Sequence, residues 1–412
     1  MKTQTAETAT TPSPRGITLA GQVSALEPHA VAGTSINLEY GKRLMLFSGR
    51  ANPALAARIA GKLNVDLGGV TLKTFSNGEV YCRYEESIRG ADVFIVQPTC
   101  ANPALAAKIA GKLNVDLGGV TLKTFSNGEV YCRYEESIRG ADVFIVQPTC
   151  ANPQQDVNAN DALMELMIMI DAAIGASAHR VIAVTPWYGY SRQDKKSAPR
   201  EPITARLVAR MLEAAGADRV LTMDLHAGQV QGFFQKPVDH MTAMFILTQY
   251  FRDLNLEDVV VVSPDAGRAK LAKKFAEKMG AELAILNKER PAQQVAEIAY
   301  VIGEVEGKNA VIVDDLIDTA GTLRAAAEAV KDKGAKRVFA CATHGVFSGN
   351  AWENLERAPF EQVVVTDTIP IRPGAPANLR VLSCADLLTD SIRRIFTDDS
   401  VSEVFGGENQ LF

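Results

Sequence analysis

The sequence predicts an α/β fold with two similar domains, each a mainly parallel sheet flanked by helices. Short apolar runs rich in β-branched residues alternate with amphipathic helical stretches. The runs are apolar on both alternations, as in strands that are buried on both faces. They form two sets, before and after about residue 245. The predicted strands are residues 43–49, 142–148, 180–186, 219–225, 258–264, 281–287, 309–315, 337–344 and 362–368.

The predicted helices lie between these strands and make parallel pairing with right-handed crossovers the expected topology. Helices are predicted at 158–176, 203–216, 269–280 and 322–334. The last two end in a glycine, the residue that most often follows a helix. Ligands of open parallel sheets bind beyond the carboxyl ends of the strands, so chemistry is expected there.

A tandem duplication interrupts the first domain. Residues 51–100 return as 101–150, with Arg58 against Lys108 as the one difference. Two copies do not make a solenoid, which needs several stacked units. We expect one copy to lie between strand 43–49 and helix 158–176, and the other to loop out at a closure cost of about 3–4 kcal/mol. We favour the first copy, which follows strand 43–49 directly; a hybrid of both copies is the alternative.

The composition excludes several classes of protein. The 412 residues carry 43 basic and 48 acidic side chains, a net charge of −5, which disfavours a nucleic-acid binder. No apolar stretch reaches the roughly 18 residues of a membrane-spanning helix, so no membrane partner is expected. Residues 1–40 are rich in Thr, Ala, Ser and Pro and are predicted to be a disordered tail. The six cysteines show no metal-ligand spacing, which favours idle thiols and a cytoplasmic location.

The most specific motif is "AVIVDDLIDTAGTL", residues 310–323. A buried strand ends in Asp314 and Asp315, and the stretch from Asp318 to Thr322 opens a helix. Its small residues, hydroxyls and free N–H groups can hold a monophosphate, helped by the helix dipole. The two carboxylates can accept hydrogen bonds from sugar hydroxyls or hold a cation through water. An ordinary capped strand–turn–helix is the alternative interpretation.

Three further strand ends carry groups suited to a magnesium-bound polyphosphate. The loop "PWYGYSRQDKK" (186–196) concentrates positive charge that can neutralise phosphates. His226 in "MDLHAGQVQGFF" and Asp265 in "SPDAGRAK" follow different strands and could share Mg²⁺, mostly through waters. Taken singly, these features also fit a solvated charged turn and a structural histidine.

The segment "LNKERP" (286–291) follows another predicted strand. Lys288 and Arg290 alternate on an extended backbone, so both side chains point the same way. Two neighbouring cations repel each other unless an anion lies between them. A solvated basic loop is the alternative for this segment alone.

Together these motifs resemble the phosphoribosyl pyrophosphate synthetases, also called ribose-phosphate pyrophosphokinases. The resemblance runs from about residue 41 to the C-terminus, in the order "FSNGE", "YSRQDKK", "MDLHAGQVQGFF", "SPDAG", "NKER" and "VDDLIDTAGT". Type I phosphoribosyltransferases share only the last motif. The resemblance implies two phosphoribosyltransferase-like domains, at 41–245 and 246–398, with a C-terminal segment, 399–412, that packs on the first.

The resemblance also implies a reaction and a set of site residues. The β,γ-diphosphoryl group of ATP would move to the anomeric hydroxyl of ribose 5-phosphate, giving phosphoribosyl pyrophosphate and AMP for nucleotide biosynthesis. Lys288 and Arg290 would be catalytic, on a flexible loop that closes over the phosphates, and His226 and Asp265 would bind Mg²⁺. The implied ATP-binding residues are Asn77, Gly78, Glu79, Asn127, Gly128, Glu129, Arg192, Gln193 and Asp194. The implied ribose 5-phosphate residues are Arg290, Asp314, Asp318, Thr319, Ala320, Gly321 and Thr322.

The "SNGE" contact reaches a neighbouring subunit in this family, so a homo-oligomer, a hexamer built from dimers, is expected. Two alternatives to the synthetase stay open. A type I phosphoribosyltransferase would need no ATP, which "RQDKK" and "NKER" argue against. A non-catalytic regulatory subunit is disfavoured by the presence of Lys288, Arg290 and His226.

Overall fold

The structure, a computed structural model, describes residues 102–152, 157–292 and 295–405 and the backbone of five short strands within residues 46–96. The strands are β1 Leu46–Phe47, β2 Leu67–Gly68, β3 Val70–Thr74, β4 Val80–Tyr84, β5 Val93–Val96, β6 Leu117–Gly118, β7 Val120–Thr124, β8 Val130–Tyr134, β9 Asp142–Val146, β10 Arg180–Thr185, β11 Arg219–Met223, β12 Val238–Met241, β13 Val259–Ser263, β14 Glu282–Ala292, β15 Val295–Ile302, β16 Asn309–Ile317, β17 Arg337–Gly345, β18 Gln362–Thr366 and β19 Leu379–Leu382. The helices are α1 Pro103–Leu113, α2 Ala159–Gly175, α3 Thr204–Ala215, α4 Met244–Asp253, α5 Ala269–Met279, α6 Gly321–Asp332, α7 Ala351–Arg357 and α8 Ala385–Thr397.

These elements form two large sheets. The N-terminal sheet has the order β12–β11–β10–β9–β5–β6, and all its neighbours are parallel. The C-terminal sheet has the order β15–β14–β13–β16–β17–β18–β19 and is parallel except between β14 and β15. The predicted α/β fold with two mainly parallel sheets is therefore confirmed.

The preference for the first copy of the duplicated segment was wrong. The second copy contributes α1, β6 and β9 to the N-terminal domain, and the first copy adds one strand, β5, between β9 and β6. The predicted strand 43–49 is described only as β1, which pairs with β2 outside that sheet. The arrangement is the hybrid alternative. It is possible because β5 runs into the same "ANP" sequence that follows strand 43–49.

The hybrid also removes the expected loop-out cost. None of the described strands before β5 belongs to this sheet, so the sheet does not require the two ends of an inserted loop to meet. The closure entropy that we expected for an internal 50-residue insertion therefore does not arise. β1 to β4 pair only with one another among the described strands.

The two domains share one apolar core. Side chains from α1 and β9, such as Leu105 and Phe144, belong to the same buried cluster as Phe275 and Phe339 of the C-terminal half. Ion pairs cross the boundary around it, and Lys108 Nζ lies 2.7 Å from Asp367 Oδ2. The predicted boundary near 245 lies between the sheets, inside α4, and the domain limits stay a prediction. Residues 406–412 lie outside the described residues.

A buried histidine near this boundary predicts a pH-dependent stability. Burial lowers the pKa of His240 from 6.5 to about 4, and His344 adds to that effect while Asp224 opposes it. The folded state therefore holds His240 neutral. The contribution of His240 to the free energy of unfolding is fully present above the unfolded pKa of about 6.5. It should fall by up to about 3 kcal/mol as the pH drops from 6.5 to 4, because the unfolded chain binds a proton that the folded chain excludes.

We expect His240→Gln to flatten this dependence by about one proton, which is about 1.4 kcal/mol per pH unit. The Gln amide oxygen can replace Nε2, which accepts the Leu225 N–H at 2.8 Å, so stability at pH 7.5 should change little. Urea unfolding at a series of pH values between 4 and 7.5 measures both quantities. An unchanged slope would show that another group causes the acid destabilisation.

Four cysteines and eight α-helices lie in the described residues. Cys132, Cys150, Cys341 and Cys384 are free thiols, and burial raises the pKa of Cys150 to about 12, which keeps this thiol in its unreactive form. None of the helices in the described residues has the length and apolarity needed to cross a bilayer.

Candidate active site

The carboxyl ends of β11, β13 and β16 meet at a cavity of about 260 Å³ between the two sheets. β11 leads to His226, β13 to Asp265 and β16 to the paired aspartates. Nine of the predicted site residues line this cavity: Arg192, His226, Asp265, Asp314, Asp318, Thr319, Ala320, Gly321 and Thr322. Residues 126 positions apart in the chain thus share one cleft, as the strand-end argument predicted.

The floor of the cavity is a compact group of charges. His226 Nδ1 lies 2.7 Å from Asp315 Oδ2, and Arg268 Nη2 lies 2.9 Å from the same oxygen. Arg268 Nε is also 3.3 Å from Asp314 Oδ1. One cation therefore holds two adjacent carboxylates that would otherwise repel each other.

The two aspartates differ in their protonation behaviour. Burial and the neighbouring charge of Asp315 raise the pKa of Asp314 well above its usual range. Burial would also raise the pKa of Asp315, but the hydrogen bond from His226 and the charge of Arg268 prevail and lower that pKa to about 2. The pKa values of the two adjacent acids are thus shifted in opposite directions.

The loop from Asp318 to Thr322 leads into α6 as a phosphate cradle would. Ala320 has a φ of +59°, in the left-handed region that non-glycine residues seldom adopt. No side chain caps the start of α6, so its first N–H groups remain available to an anion. Thr319, Gly321 and Thr322 are exposed there.

The N-terminal domain reaches this loop through Arg192. Its Nη1 lies 2.7 Å from Asp318 Oδ2, and its side chain is 55% exposed. Asp318 also accepts a hydrogen bond from the Ser348 hydroxyl, and Asn354 Nδ2 donates to the Thr319 carbonyl at 2.9 Å. The loop is thus held from three directions while its phosphate-facing groups stay open.

Comparison with known proteins identifies the family. The family model described as the N-terminal domain of ribose phosphate pyrophosphokinase matches twice, at residues 44–104 and 99–216, once for each copy of the duplicated segment. The phosphoribosyl synthetase-associated domain matches residues 291–406. The ribose-phosphate pyrophosphokinase of Caldanaerobacter subterraneus is 52% identical over 368 residues, 89% of this chain and 99% of the relative.

The chain belongs to the ribose-phosphate pyrophosphokinase family.

Other members of the family agree with this assignment. The ribose-phosphate pyrophosphokinase of Gloeobacter violaceus is 50% identical over 366 residues, 88% of this chain and 93% of its own length. The crystal structure of phosphoribosylpyrophosphate synthetase from Mycobacterium smegmatis matches with a TM-score of 0.69 at 43% identity, covering 74% of this chain and 99% of that one. The predictions that the chain is an enzyme of this family and has its fold are confirmed.

Two of the residues predicted to bind ATP, Gln193 and Asp194, form hydrogen bonds with other side chains of this pyrophosphokinase. Gln193 Oε1 accepts a hydrogen bond from the Thr204 hydroxyl at 2.6 Å, and the buried Asp194 accepts one from the Gln229 amide. Neither is among the described residues that line the cavity. Their side chains support the loop that presents Arg192, and a role in binding ATP stays a prediction.

The "SNGE" segment of the second copy forms the tip of the hairpin between β7 and β8. Asn127, Gly128 and Glu129 are exposed, and Gly128 has a φ of +90°, which its turn requires. Phe125 and Tyr131 flank them, 52% and 39% exposed, with their rings 6.2 Å apart. The three tip residues do not line the described cavity of their own chain. The corresponding Asn77, Gly78 and Glu79 lie outside the described residues.

The predicted catalytic residues Lys288 and Arg290 belong to β14. This strand continues past the predicted end at 287 to Ala292 and pairs with β15. The ladder shifts register between Asn287 and Lys288. The extended backbone agrees with the sequence interpretation, although the segment is a paired hairpin where a flexible loop was expected. The side chains themselves are outside the description.

Arg268 is the main residue that sequence reasoning missed. Besides the two aspartates it contacts His226, with Nη1 3.1 Å from the carbonyl oxygen and Nη2 2.6 Å from Nδ1 of the ring. It also lines a neighbouring cavity of about 270 Å³. The available signal was its position, three residues after Asp265 at the end of a buried strand. What sequence could not supply was its distance from β16.

His226 and Asp265 fit a magnesium ion that is carried mainly by substrate phosphates. Both line the cavity, but the described residues hold no group of three or more His, Cys, Asp or Glu side chains arranged to bind a metal by themselves. Mg²⁺ is usually held by one or two protein groups together with waters and phosphates. Two lining side chains are compatible with such an ion, and magnesium binding by His226 and Asp265 stays a prediction.

Proposed function

We propose that this chain transfers the β,γ-diphosphoryl group of ATP to the anomeric hydroxyl of ribose 5-phosphate, producing phosphoribosyl pyrophosphate and AMP. The single observation that carries the proposal is the cavity that joins Arg192 and His226 of one domain with the acid pair and the 318–322 loop of the other. One side of the cleft suits a polyphosphate and the other a phosphorylated sugar. Family membership supports the same activity.

The residues divide the work as follows. The open N–H groups of α6 and the hydroxyls of Thr319 and Thr322 bind the 5-phosphate. Asp314 and Asp315 accept hydrogen bonds from the ribose hydroxyls and orient the sugar. Lys288 and Arg290 of the β14–β15 hairpin stabilise the negative charge of the transferring phosphates as the transition state forms.

Magnesium completes this proposal as a substrate-borne cofactor. The ion neutralises the charge of the polyphosphate and aligns it for in-line transfer when bound. His226 and Asp265 are the residues that would hold it. The Asp265 carboxylate is already oriented, because it accepts a hydrogen bond from the backbone N–H of Arg268 at 3.1 Å.

The assembly belongs to the same proposal. An exposed hairpin tip with two partly exposed aromatic rings suits a nucleotide base bound by a neighbouring subunit, since bases stack on such rings. We propose a homohexamer on this basis and on the family resemblance, and a cytoplasmic location on the sequence alone.

An assay of product formation tests the proposed function. With ATP, Mg²⁺ and ribose 5-phosphate, we expect AMP and phosphoribosyl pyrophosphate in equal amounts and no AMP when the sugar is omitted; phosphorus NMR follows both products. Formation of ADP would indicate ordinary phosphoryl transfer. Consumption of phosphoribosyl pyrophosphate with a base would indicate a phosphoribosyltransferase, and no turnover would fit a regulatory subunit.

A further inference from the structure

The carboxyl end of β17 contacts the N-terminal segment that presents His226. The Thr343 hydroxyl donates to Asp224 Oδ2 at 2.6 Å. Nε2 of the next residue, His344, lies 3.2 Å from the carbonyl oxygens of both Met223 and Asp224. A strand of the C-terminal sheet thus holds Met223, the last residue of β11, and Asp224, which lies two positions before His226.

Asp224 needs these contacts because its backbone is unusual. Its φ is +33°, a conformation that residues other than glycine seldom adopt. Its carboxylate is buried and also accepts the Ala243 N–H at 2.8 Å. This turn aims the following residues into the cleft, where His226 meets Asp315. Loss of the cross-domain hydrogen bond would free the turn to relax.

His344 also contacts the second N-terminal segment of the cleft, the loop 186–196 that carries Arg192. Its ring is fully buried and packs edge-on against Trp187, with centroids 4.7 Å apart. Trp187 begins the loop that carries Arg192. Carbonyl oxygens only accept hydrogen bonds, so Nε2 of His344 carries the proton, and Nδ1 accepts from the Thr368 hydroxyl at 2.9 Å. Burial lowers the pKa of His344, which keeps the ring in this neutral form although Asp224 and Asp315 oppose the shift.

We propose that Thr343 and His344 are positioning residues for diphosphoryl transfer. From the sugar-binding domain, they fix the two N-terminal segments that present His226 and Arg192 to the polyphosphate. Neither residue touches the reacting atoms. The proposal rests on the proposed function, and it predicts that damage to this contact affects ATP more than ribose 5-phosphate.

Thr343→Val tests the proposal, because it keeps the shape of the side chain and removes only the donor. We expect kcat/KM for MgATP to fall about 10- to 100-fold, the range typical of residues that orient a ligand-holding group. KM for ribose 5-phosphate should stay within about twofold, because the loop that opens α6 is supported by other residues. Thr343→Ser, which keeps the hydroxyl, should restore most of the loss.

Thr222→Val is the matched control. Thr222 is a buried threonine on the strand that leads to His226, but its hydroxyl has no hydrogen-bond partner among the described residues. This variant should match the parent in every constant. Urea unfolding verifies that all variants are folded. If Thr343→Val folds poorly, Thr343→Ala tests the same contact without placing a methyl group against a carboxylate.

Equilibrium binding of MgATP by calorimetry separates the two proposals. Weaker MgATP binding in Thr343→Val than in Thr222→Val supports the positioning role even if the products differ from those proposed. Parental binding and turnover in Thr343→Val overturn it, and so does an equal loss for both substrates or a loss that Thr343→Ser fails to restore. A parent that binds MgATP without forming AMP contradicts the proposed function alone.

Discussion

Replacing Lys288 with alanine should leave MgATP binding nearly intact and lower kcat about a thousandfold, the scale of removing one charge-stabilising cation from a phosphoryl-transfer site. The ground-state polyphosphate is already neutralised by other groups, so a cation that acts mainly in the transition state changes kcat more than affinity.

The control for this prediction is a lysine that lies outside the candidate active site. Lys273 on α5 is 68% exposed and pairs only with Glu277 among its described neighbours, at 3.8 Å. Lys273→Ala should therefore keep parental kcat. Steady-state kinetics with both substrates, combined with calorimetric ATP binding, measures the effect. A kcat for Lys288→Ala within about tenfold of the parent would show that another group supplies the charge.

Truncation from the N-terminus should separate the two copies of the duplicated segment. A chain that begins at residue 87 keeps β5 and should fold, show a cooperative urea transition and retain activity. A chain that begins at residue 101 loses β5, and we expect it to aggregate, because the fully buried side chains of β9 then lie at an open sheet edge.

Internal deletion cannot make this distinction. Removing 51–100 and removing 101–150 leave chains that differ at one residue, lysine or arginine at the position that faces Asp367. Both should fold with strand 43–49 beside the one remaining copy of the "DVFIV" strand and remain active. If the chain that begins at 87 failed to fold while both deletions succeeded, strand 43–49 would be required and β5 could not replace it.

Sequence patterns predicted the central strands because strands that are buried on both faces consist of consecutive apolar residues. β9, β10, β11, β13, β16, β17 and β18 all appear within a few residues of the predicted limits. β12, with the sequence "VDHM", has no such pattern and forms through backbone pairing with β11. A periodicity argument has nothing to detect in a strand of this kind.

The site was predictable where its residues share a motif and less so where they meet only in space. The 310–323 motif combined acids, small residues and a helix start in one stretch. Arg268, Thr343 and His344 contact residues of the other domain, and those partners lie 42 to 121 positions away in the chain. Two nearly identical copies also pose a problem that local sequence cannot solve, because only the sheet's connectivity distinguishes them.

That connectivity has a consequence for how the chain tolerates its extra length. The duplicated unit begins just after one parallel strand and ends just after another, so it spans a whole strand-to-strand period. Either strand can feed the helix that follows, and the crossover keeps its right-handed sense in both cases. A duplication of this length therefore leaves the extra residues before the domain in the chain and not within it. The same number of residues inserted within a helix or a strand would interrupt that element and disrupt the sheet.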